Sequence, residues 1–311
     1  MPKKTKIVVF GIGGVGGYFG GLLATKYENS NDIEICFVAR GEHLAQIRAN
    51  GLKVIHGQTE FIARPAFATD NTNEIGIADY ILICTKSYDL AATIEQLKPC
   101  IDENTIIVPL LNGVESVDRI KNIFPASTVL EGCVYIVSLV KKAGVIENSG
   151  INQKLYFGPG TINSERLLWL EKTIQYAGIE ATLSDKISTI VWEKFIFISA
   201  IATATSYLDC SVGKLLETNE ETLVQLIEEV KAVARVKGIS FKPEITGYIV
   251  NYNKQLPYDT TSSMHRDYQN RKPNTEVETL TGYVVRAGEE LGIETPVFTK
   301  AYQHLANKGD N

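Results

Sequence analysis

The stretch Lys6-Ile-Val-Val-Phe-Gly-Ile-Gly-Gly-Val-Gly-Gly-Tyr-Phe-Gly-Gly21 limits what this chain can fold into more than any other. An apolar, β-branched run from Lys6 to Phe10 passes at once into Gly11-x-Gly13-x-x-Gly16, and a helix-like segment through Leu22, Leu23 and Ala24 follows. Strand, glycine turn and helix in that order are what a dinucleotide-binding unit requires. Gly11 permits the tight turn, Gly13 lets backbone approach a pyrophosphate, and Gly16 lets the helix lie close on the strand. With Ile12, Gly14 and Val15 they form the expected cofactor loop, whose free N–H groups at the helix start face the anion. Gly20 and Gly21 extend a small-residue face suited to close packing, at some cost in helix propensity.

The rest of the composition narrows the function. With 311 residues, 44% of them hydrophobic, the chain can fill the cores of two domains of about 150 residues each. A formal charge of −5 and the lack of any Lys/Arg-rich block argue against a nucleic-acid partner. The N-terminus runs into the first strand without a signal-peptide arrangement. The one long apolar run, 190–202, is interrupted by charge, so no membrane span is expected and the cytoplasm is the expected location. The five cysteines, Cys36, Cys84, Cys100, Cys133 and Cys210, are scattered and show no ligand spacing; they read as buried thiols in a reducing compartment. His265 is one of only four histidines, with no carboxylate set near it in the sequence, so no metal site is expected.

A second strand, Ile33–Val38, ends at Ala39-Arg40, where many NAD-binding folds carry an acidic residue for the ribose 2′-hydroxyl. A guanidinium there suits a 2′-phosphate, which favours NADP over NAD; a solvated Arg40, with Glu42 on the ribose, is the plainer reading. Short strands are predicted at Val54–Ile55, Phe61–Ala63 and Tyr80–Cys84, the last ending in Thr85-Lys86-Ser87. After a helix at Leu90–Leu97, the strand Thr105–Leu111 ends in Asn112-Gly113. Lys86 and Asn112 thus stand at carboxyl ends of sheet strands, where such folds bind ligands, although a solvated loop charge and turn chemistry explain them equally. Further strands at Val129–Val134, Val145–Ile146, Leu155–Gly158 and Glu180–Leu183 surround a helix at Ser164–Tyr176. Beyond Ile187 the period changes to long helices: Ile187–Leu208, Glu221–Lys237, Lys242–Gln255 and Thr275–Leu291, with Gly238 and Gly292 as stops. The reading is an α/β chain: an N-terminal Rossmann-type dinucleotide-binding domain over 1–185, then an all-helical C-terminal domain over 186–311.

One residue in the helical part is out of place. The segment Ile190–Ala202 is apolar almost all round, as in a helix buried within protein, yet it carries Lys194. Its neighbours on that face are Ile190, Val191, Phe197, Ile198 and Ile201, so the ammonium must snorkel out, find a partner or line a cleft as a proton donor. Pro257 and the hydroxyl run Thr260-Thr-Ser-Ser263 mark a loop between helices, and Glu276 is placed in the first turn of the last long helix with Thr275 as its N-cap. Its plain role there is dipole compensation; the sharper one is partnering Lys194.

Taken together, these pieces resemble the ketopantoate reductases, which reduce 2-dehydropantoate with NADPH, over nearly the whole chain. The matching segments are Gly11–Gly16, Ala39-Arg-Gly-Glu-His-Leu44 with Gly51-Leu-Lys-Val54, Thr85-Lys-Ser-Tyr-Asp89, Leu111-Asn-Gly-Val114, Trp192-Glu-Lys194, Ser262-Ser-Met264, Thr275-Glu276, Gly282 and Gly292-Ile-Glu-Thr-Pro296. The resemblance implies production of pantoate for pantothenate and coenzyme A. It implies Lys194 as the catalytic lysine that protonates the ketone, and Glu276 as the residue that holds a substrate hydroxyl and orients Lys194. Asn112 and Lys86 would be cofactor and active-site residues, Ser263 the contact for the substrate carboxylate, and Arg40 the reader of the 2′-phosphate. Two substrate positions depart from the family: Ile198 and Ala202 stand on the lysine's face where Asn is usual. The segment from Ser263 to Glu276 is one residue longer than usual, and Thr281 replaces a common Asn. Loss of two amides points to another small 2-oxoacid as the alternative substrate. A non-catalytic NADP-binding sensor is the alternative from a different class. The apolar helices leave open an intramolecular core or a homodimer interface.

Overall fold

The computed structural model describes residues 4–158 and 165–307. They form two compact units: the first takes in the chain up to Leu111 and then Glu115–Ile187, the second Asn112–Val114 and the chain from Ser188 onward.

The first unit is organised on a six-stranded sheet of β1 (Thr5–Phe10), β2 (Ile33–Val38), β5 (Phe67–Thr69), β6 (Tyr80–Ile83), β7 (Ile106–Pro109) and β8 (Thr128–Val129), in the order β5-β2-β1-β6-β7-β8. Every pairing in it is parallel. Parallel strands are covered on both faces, which is why β1 and β6 read as unbroken apolar runs: Ile7, Val8, Val9, Ile81 and Ile83 are fully buried. Strand order reverses between β1 and β6, and the crevice at the carboxyl ends of those strands is the expected ligand position of such a sheet. The helices of this unit are α1 (Gly14–Tyr27), α2 (Gly41–Asn50), α3 (Leu90–Leu97), α4 (Ser116–Lys121) and α5 (Glu165–Tyr176). The predicted start of α5, Ser164, lies outside the described residues.

Two smaller sheets complete the unit. One joins β3 (Leu52–His56), β4 (Thr59–Ala63), β10 (Ser138–Lys142) and β11 (Val145–Asn148); the other joins β9 (Glu131–Tyr135), β12 (Lys154–Gly158) and β13 (Glu180–Leu183). The helix α1 touches both the main sheet and the four-stranded one. A Cβ on Gly16 would fall 2.2 Å from the Gly11 carbonyl oxygen, and one on Gly20 would fall 3.0 Å from the Phe37 ring. On the other side, a Cβ on Gly14 would meet the Ser138 carbonyl oxygen at 2.1 Å and one on Gly17 the Ile146 side chain at 2.5 Å. Each glycine costs a helix about 1 kcal/mol relative to alanine; α1 carries five because layers approach it from two sides.

In the second unit α6 (Ile187–Tyr207) is the central element, 21 residues and about 31 Å long. By length and composition it could cross a membrane, but its all-round apolar surface is matched by burial inside this unit: Trp192, Phe195, Ile196, Ala200, Ile201 and Ala204 are buried in one core. Around it lie α7 (Val212–Thr218), α8 (Glu220–Val236), α9 (Ile245–Lys254), α10 (Ser263–Gln269), α11 (Tyr283–Leu291) and α12 (Pro296–Asn307). Gly238 and Gly292 end α8 and α11 with φ of 78° and 67°, the left-handed conformation that suits glycine. The first turn of α12 is capped from a distance, the Glu229 carboxylate accepting from the N–H groups of Val297 at 2.8 Å and Phe298 at 2.9 Å.

The structure corrects several expectations. The single strand expected at 129–134 is two, β8 and β9, in different sheets. Residues 263–269, read as loop, form α10, nucleated by the Ser262 hydroxyl, which accepts from the His265 N–H at 3.0 Å. The helix expected from Thr275 does not begin there: Glu276 precedes a π-helical turn, Glu278–Gly282, that leads into α11. Tertiary contacts shape that turn. Thr281 and Thr203, both fully buried, meet hydroxyl to hydroxyl at 2.7 Å, and Thr279 lies against Gly113. Such turns are rare and concentrate at functional sites.

Candidate active site

The cofactor-side residues gather at the carboxyl edge of the parallel sheet. Gly11 leaves β1 with φ of 92°, its N–H donating to the Val38 carbonyl at 3.0 Å; a side chain there would strike Thr85, the residue before Lys86. Gly13 is the N-cap of α1, and a Cβ on it would meet nothing within 4 Å. No side chain caps α1 and no acidic residue lies in its first turn. A helix N-terminus with open space at its cap is a site that a pyrophosphate fits. Lys86 is exposed at the carboxyl end of β6, N-cap of a short 3₁₀ turn. Arg40 is the N-cap residue of α2, its side chain 72% exposed and 3.6 Å from the Asp89 carboxylate. An ion pair that exposed is weak and leaves the guanidinium available to an anion.

One contributor was hidden in the sequence. The His43 imidazole, in the first turn of α2, accepts from the Gly144 N–H through Nδ1 at 2.9 Å. Burial pushes it below the ordinary histidine value. The bond fastens the start of α2 to the β10–β11 turn. Nearby, burial pushes the Cys84 thiol up to about 12, which makes it a packing group rather than a nucleophile.

In the second unit, Lys194 has a partner. Its Nζ donates to the Asn112 Oδ1 at 3.0 Å, an interaction between residues 82 apart in the chain. The turn carrying Asn112 is fixed from another side as well, because Gly113, with φ of 100°, lies so close to Thr279 that a Cβ would come within 2.4 Å of its Cγ2. Thr279 is one turn beyond Glu276, which is only 2% exposed. The Trp192 and Phe195 rings pack against Tyr283 at centroid distances of 6.2 and 5.5 Å, holding α6 to α11 beside Lys194. The Asn112 turn, the lysine and the segment of Glu276 are thus drawn into one neighbourhood.

Ser263 sits at the far end of the same helix face. It is exposed at the start of α10, and the preceding Ser262 hydroxyl meets the Thr205 hydroxyl of α6 at 2.9 Å, three helical turns after Lys194. Between them lie Ile198, half-buried, and Ala202, buried. The α10 start is pinned by a histidine that sequence spacing could not connect. His265, 2% exposed, has Nε2 2.8 Å from the Asp209 Oδ1 and Nδ1 against the Thr261 hydroxyl. Asp209 itself holds a φ of 49° just after α6. The only sequence signal was a polar pair on either side of the Cys210 turn and the hydroxyl run, 56 residues apart.

The family described as ketopantoate reductase PanE/ApbA matches residues 7–161, and the C-terminal domain of the same family matches residues 186–309. The chain is 30% identical to YkpB, an uncharacterized oxidoreductase of Bacillus subtilis, over 96% of this chain and 97% of that one. It is 28% identical to a 2-dehydropantoate 2-reductase of Halobacterium salinarum, over 94% of this chain and 95% of the other. The crystal structure of 2-dehydropantoate 2-reductase from Porphyromonas gingivalis superposes with a TM-score of 0.86 at 35% identity, covering 98% of this chain and all of that one.

Proposed function

This chain belongs to the ketopantoate reductase family of NAD(P)-dependent oxidoreductases, and from that premise we propose that it reduces a small branched 2-oxoacid to the 2-hydroxyacid with NADPH, 2-dehydropantoate being the first candidate. On that candidate the product is pantoate, the precursor of pantothenate and coenzyme A. The observation that carries the reading is Lys194 on an apolar face of α6, aimed by its bond to Asn112.

NADPH, when bound, supplies the hydride that adds to the carbonyl carbon. The protein's own residues do the rest. Backbone N–H groups at the start of α1 receive the pyrophosphate, with Gly13 leaving the approach clear, and Arg40 at the α2 N-terminus pairs with the 2′-phosphate. Lys86 stands at the same sheet edge for the cofactor. The Lys194 ammonium donates a hydrogen bond to the substrate carbonyl oxygen, polarises it, and gives up its proton as negative charge develops there. Asn112 holds that ammonium in place by accepting one of its N–H bonds, and Glu276 orients it from the adjoining segment. Ser263 binds the substrate carboxylate.

The test is loss of NADPH absorbance on adding 2-dehydropantoate or a panel of branched 2-oxoacids, with NADH run alongside. Turnover by NADPH supports the reading. Cofactor binding with no turnover of any acid would instead identify an NADP-binding sensor. Ile198 and Ala202 favour a second reading of the substrate, because they leave the strip beyond Lys194 without hydrogen-bonding groups.

A further inference from the structure

Resting on the reading of Lys194 as proton donor and Ser263 as carboxylate contact, we propose that the subsite for the substrate's side chain is built for hydrocarbon, and that the preferred substrate is a branched 2-oxoacid carrying no hydroxyl on that side chain.

The argument is the chemistry of one face of α6. At 3.6 residues per turn, the positions within about 80° of Lys194 over the next two turns are Phe197, Ile198, Ile201 and Ala202. All are apolar. Lys194, Phe197 and Ile198 are half-buried, whereas Ile201 and Ala202 further along this face and Phe195, Ile196 and Ala200 on the other sides are buried, so the open part of the helix is at Lys194, Phe197 and Ile198. One turn covers about 5.4 Å, which puts a substituent two or three bonds from the reacting carbon opposite Ile198.

The hydroxyls of the surrounding helix cannot substitute for the missing polar group. Ser199 donates to the Phe195 carbonyl at 2.6 Å, and Thr203 is paired with Thr281 at 2.7 Å. Thr205, next on the same face, donates to the Ile201 carbonyl at 2.7 Å and meets Ser262. Ser206 lies about 120° round the helix from Lys194. The Asn112 carbonyl oxygen is engaged by Lys194. Along α6 itself, therefore, a substrate hydroxyl finds no free hydrogen-bonding group to replace its bonds to water, whereas a methyl group is buried against Ile198 at no such cost.

Trimethylpyruvate tests this directly, since it is 2-dehydropantoate without the terminal hydroxyl. With the full chain and saturating NADPH, kcat/KM should be about 10- to 100-fold higher for trimethylpyruvate, the range in which an apolar pocket rejects an added hydroxyl. Ile198→Asn should shrink or reverse that ratio. Equal or better use of 2-dehydropantoate by the wild type overturns the inference while leaving the reductase reading intact, and so does an Ile198→Asn ratio equal to the wild type's. Turnover of neither acid by a protein that binds NADPH overturns the reductase reading and this inference with it.

Discussion

Around Gly13 the chain works by leaving side chains out, whereas along α6 it works by placing Lys194 on a face that is otherwise apolar over the next two turns. In the first region the functional groups are backbone N–H groups and open space, and neighbours crowd the glycines so closely that a methyl group would strike backbone at 2.1 to 2.2 Å at Gly14 and Gly16. In the second the groups proposed as functional are the Lys194 ammonium, the Asn112 amide and the Glu276 carboxylate, on segments joined by the Lys194–Asn112 bond and the Gly113–Thr279 contact. The first kind of site tolerates little change of shape. The second is sensitive to chemistry at fixed shape.

Two substitutions should therefore fail in opposite ways. Lys194→Ala should lower kcat by about 10²- to 10⁴-fold, the usual share of a positioned general acid, with the NADPH Kd unchanged. Gly16→Ala should weaken NADPH binding and lower stability by about 1–3 kcal/mol, because the new Cβ would fall 2.2 Å from the Gly11 carbonyl oxygen and 2.8 Å from the Cys84 Cβ. Titration with NADPH and thermal melting separate the two; loss of cofactor binding in the lysine variant would erase the contrast. Arg40→Ala should raise the Kd for NADPH by about 10- to 100-fold, as expected for one charge-assisted contact, and leave that for NADH nearly the same. Equal weakening of both cofactors would remove Arg40 from the 2′-phosphate.

Smaller effects are expected at the supports. Ser262→Ala removes the cap of α10 and the link to Thr205, which should cost about 1 kcal/mol and raise KM for the 2-oxoacid with kcat retained. A change in kcat alone would contradict the positioning role. Smallest is a pH effect far from the site. Burial pushes the Glu229 carboxyl above its ordinary 4.5, against the two backbone N–H groups that pull it down. A folded-state value above the unfolded one means its stabilising contribution is full below about 4.5 and is lost as pH rises through the folded value. Melting temperatures of wild type and Glu229→Gln should diverge over that rise, to the wild type's disadvantage; a pH-independent difference would refute the assignment.

The same contrast explains what could be read in advance. Gly11, Gly13 and Gly16 declare themselves because strand, turn and helix are contiguous, so the parallel sheet and its nucleotide-facing edge were legible. Lys194 is legible as an anomaly, a charge on an apolar helix face, but its partner Asn112 is not, since nothing local links residues 82 apart. The π-helical turn escaped notice because the Thr203–Thr281 pair and the Gly113–Thr279 contact that shape it are tertiary. The bond of His265 to Asp209 is not legible either, since the two are 56 residues apart. The strands β5 and β10 were missed for their shortness and for exposed apolar residues that break alternation: Val140 and Leu139 are 43% and 53% exposed.

The central claim is that the Lys194 ammonium delivers the proton that accompanies hydride transfer. Its most direct test is NADPH oxidation by Lys194→Ala with a 2-oxoacid, measured as small alkylamines are added. The account predicts a rate that is nearly absent without amine and rises saturably with alkylammonium concentration while NADPH affinity stays constant. A Lys194→Ala protein that turns over at the wild-type rate with no amine present would contradict it.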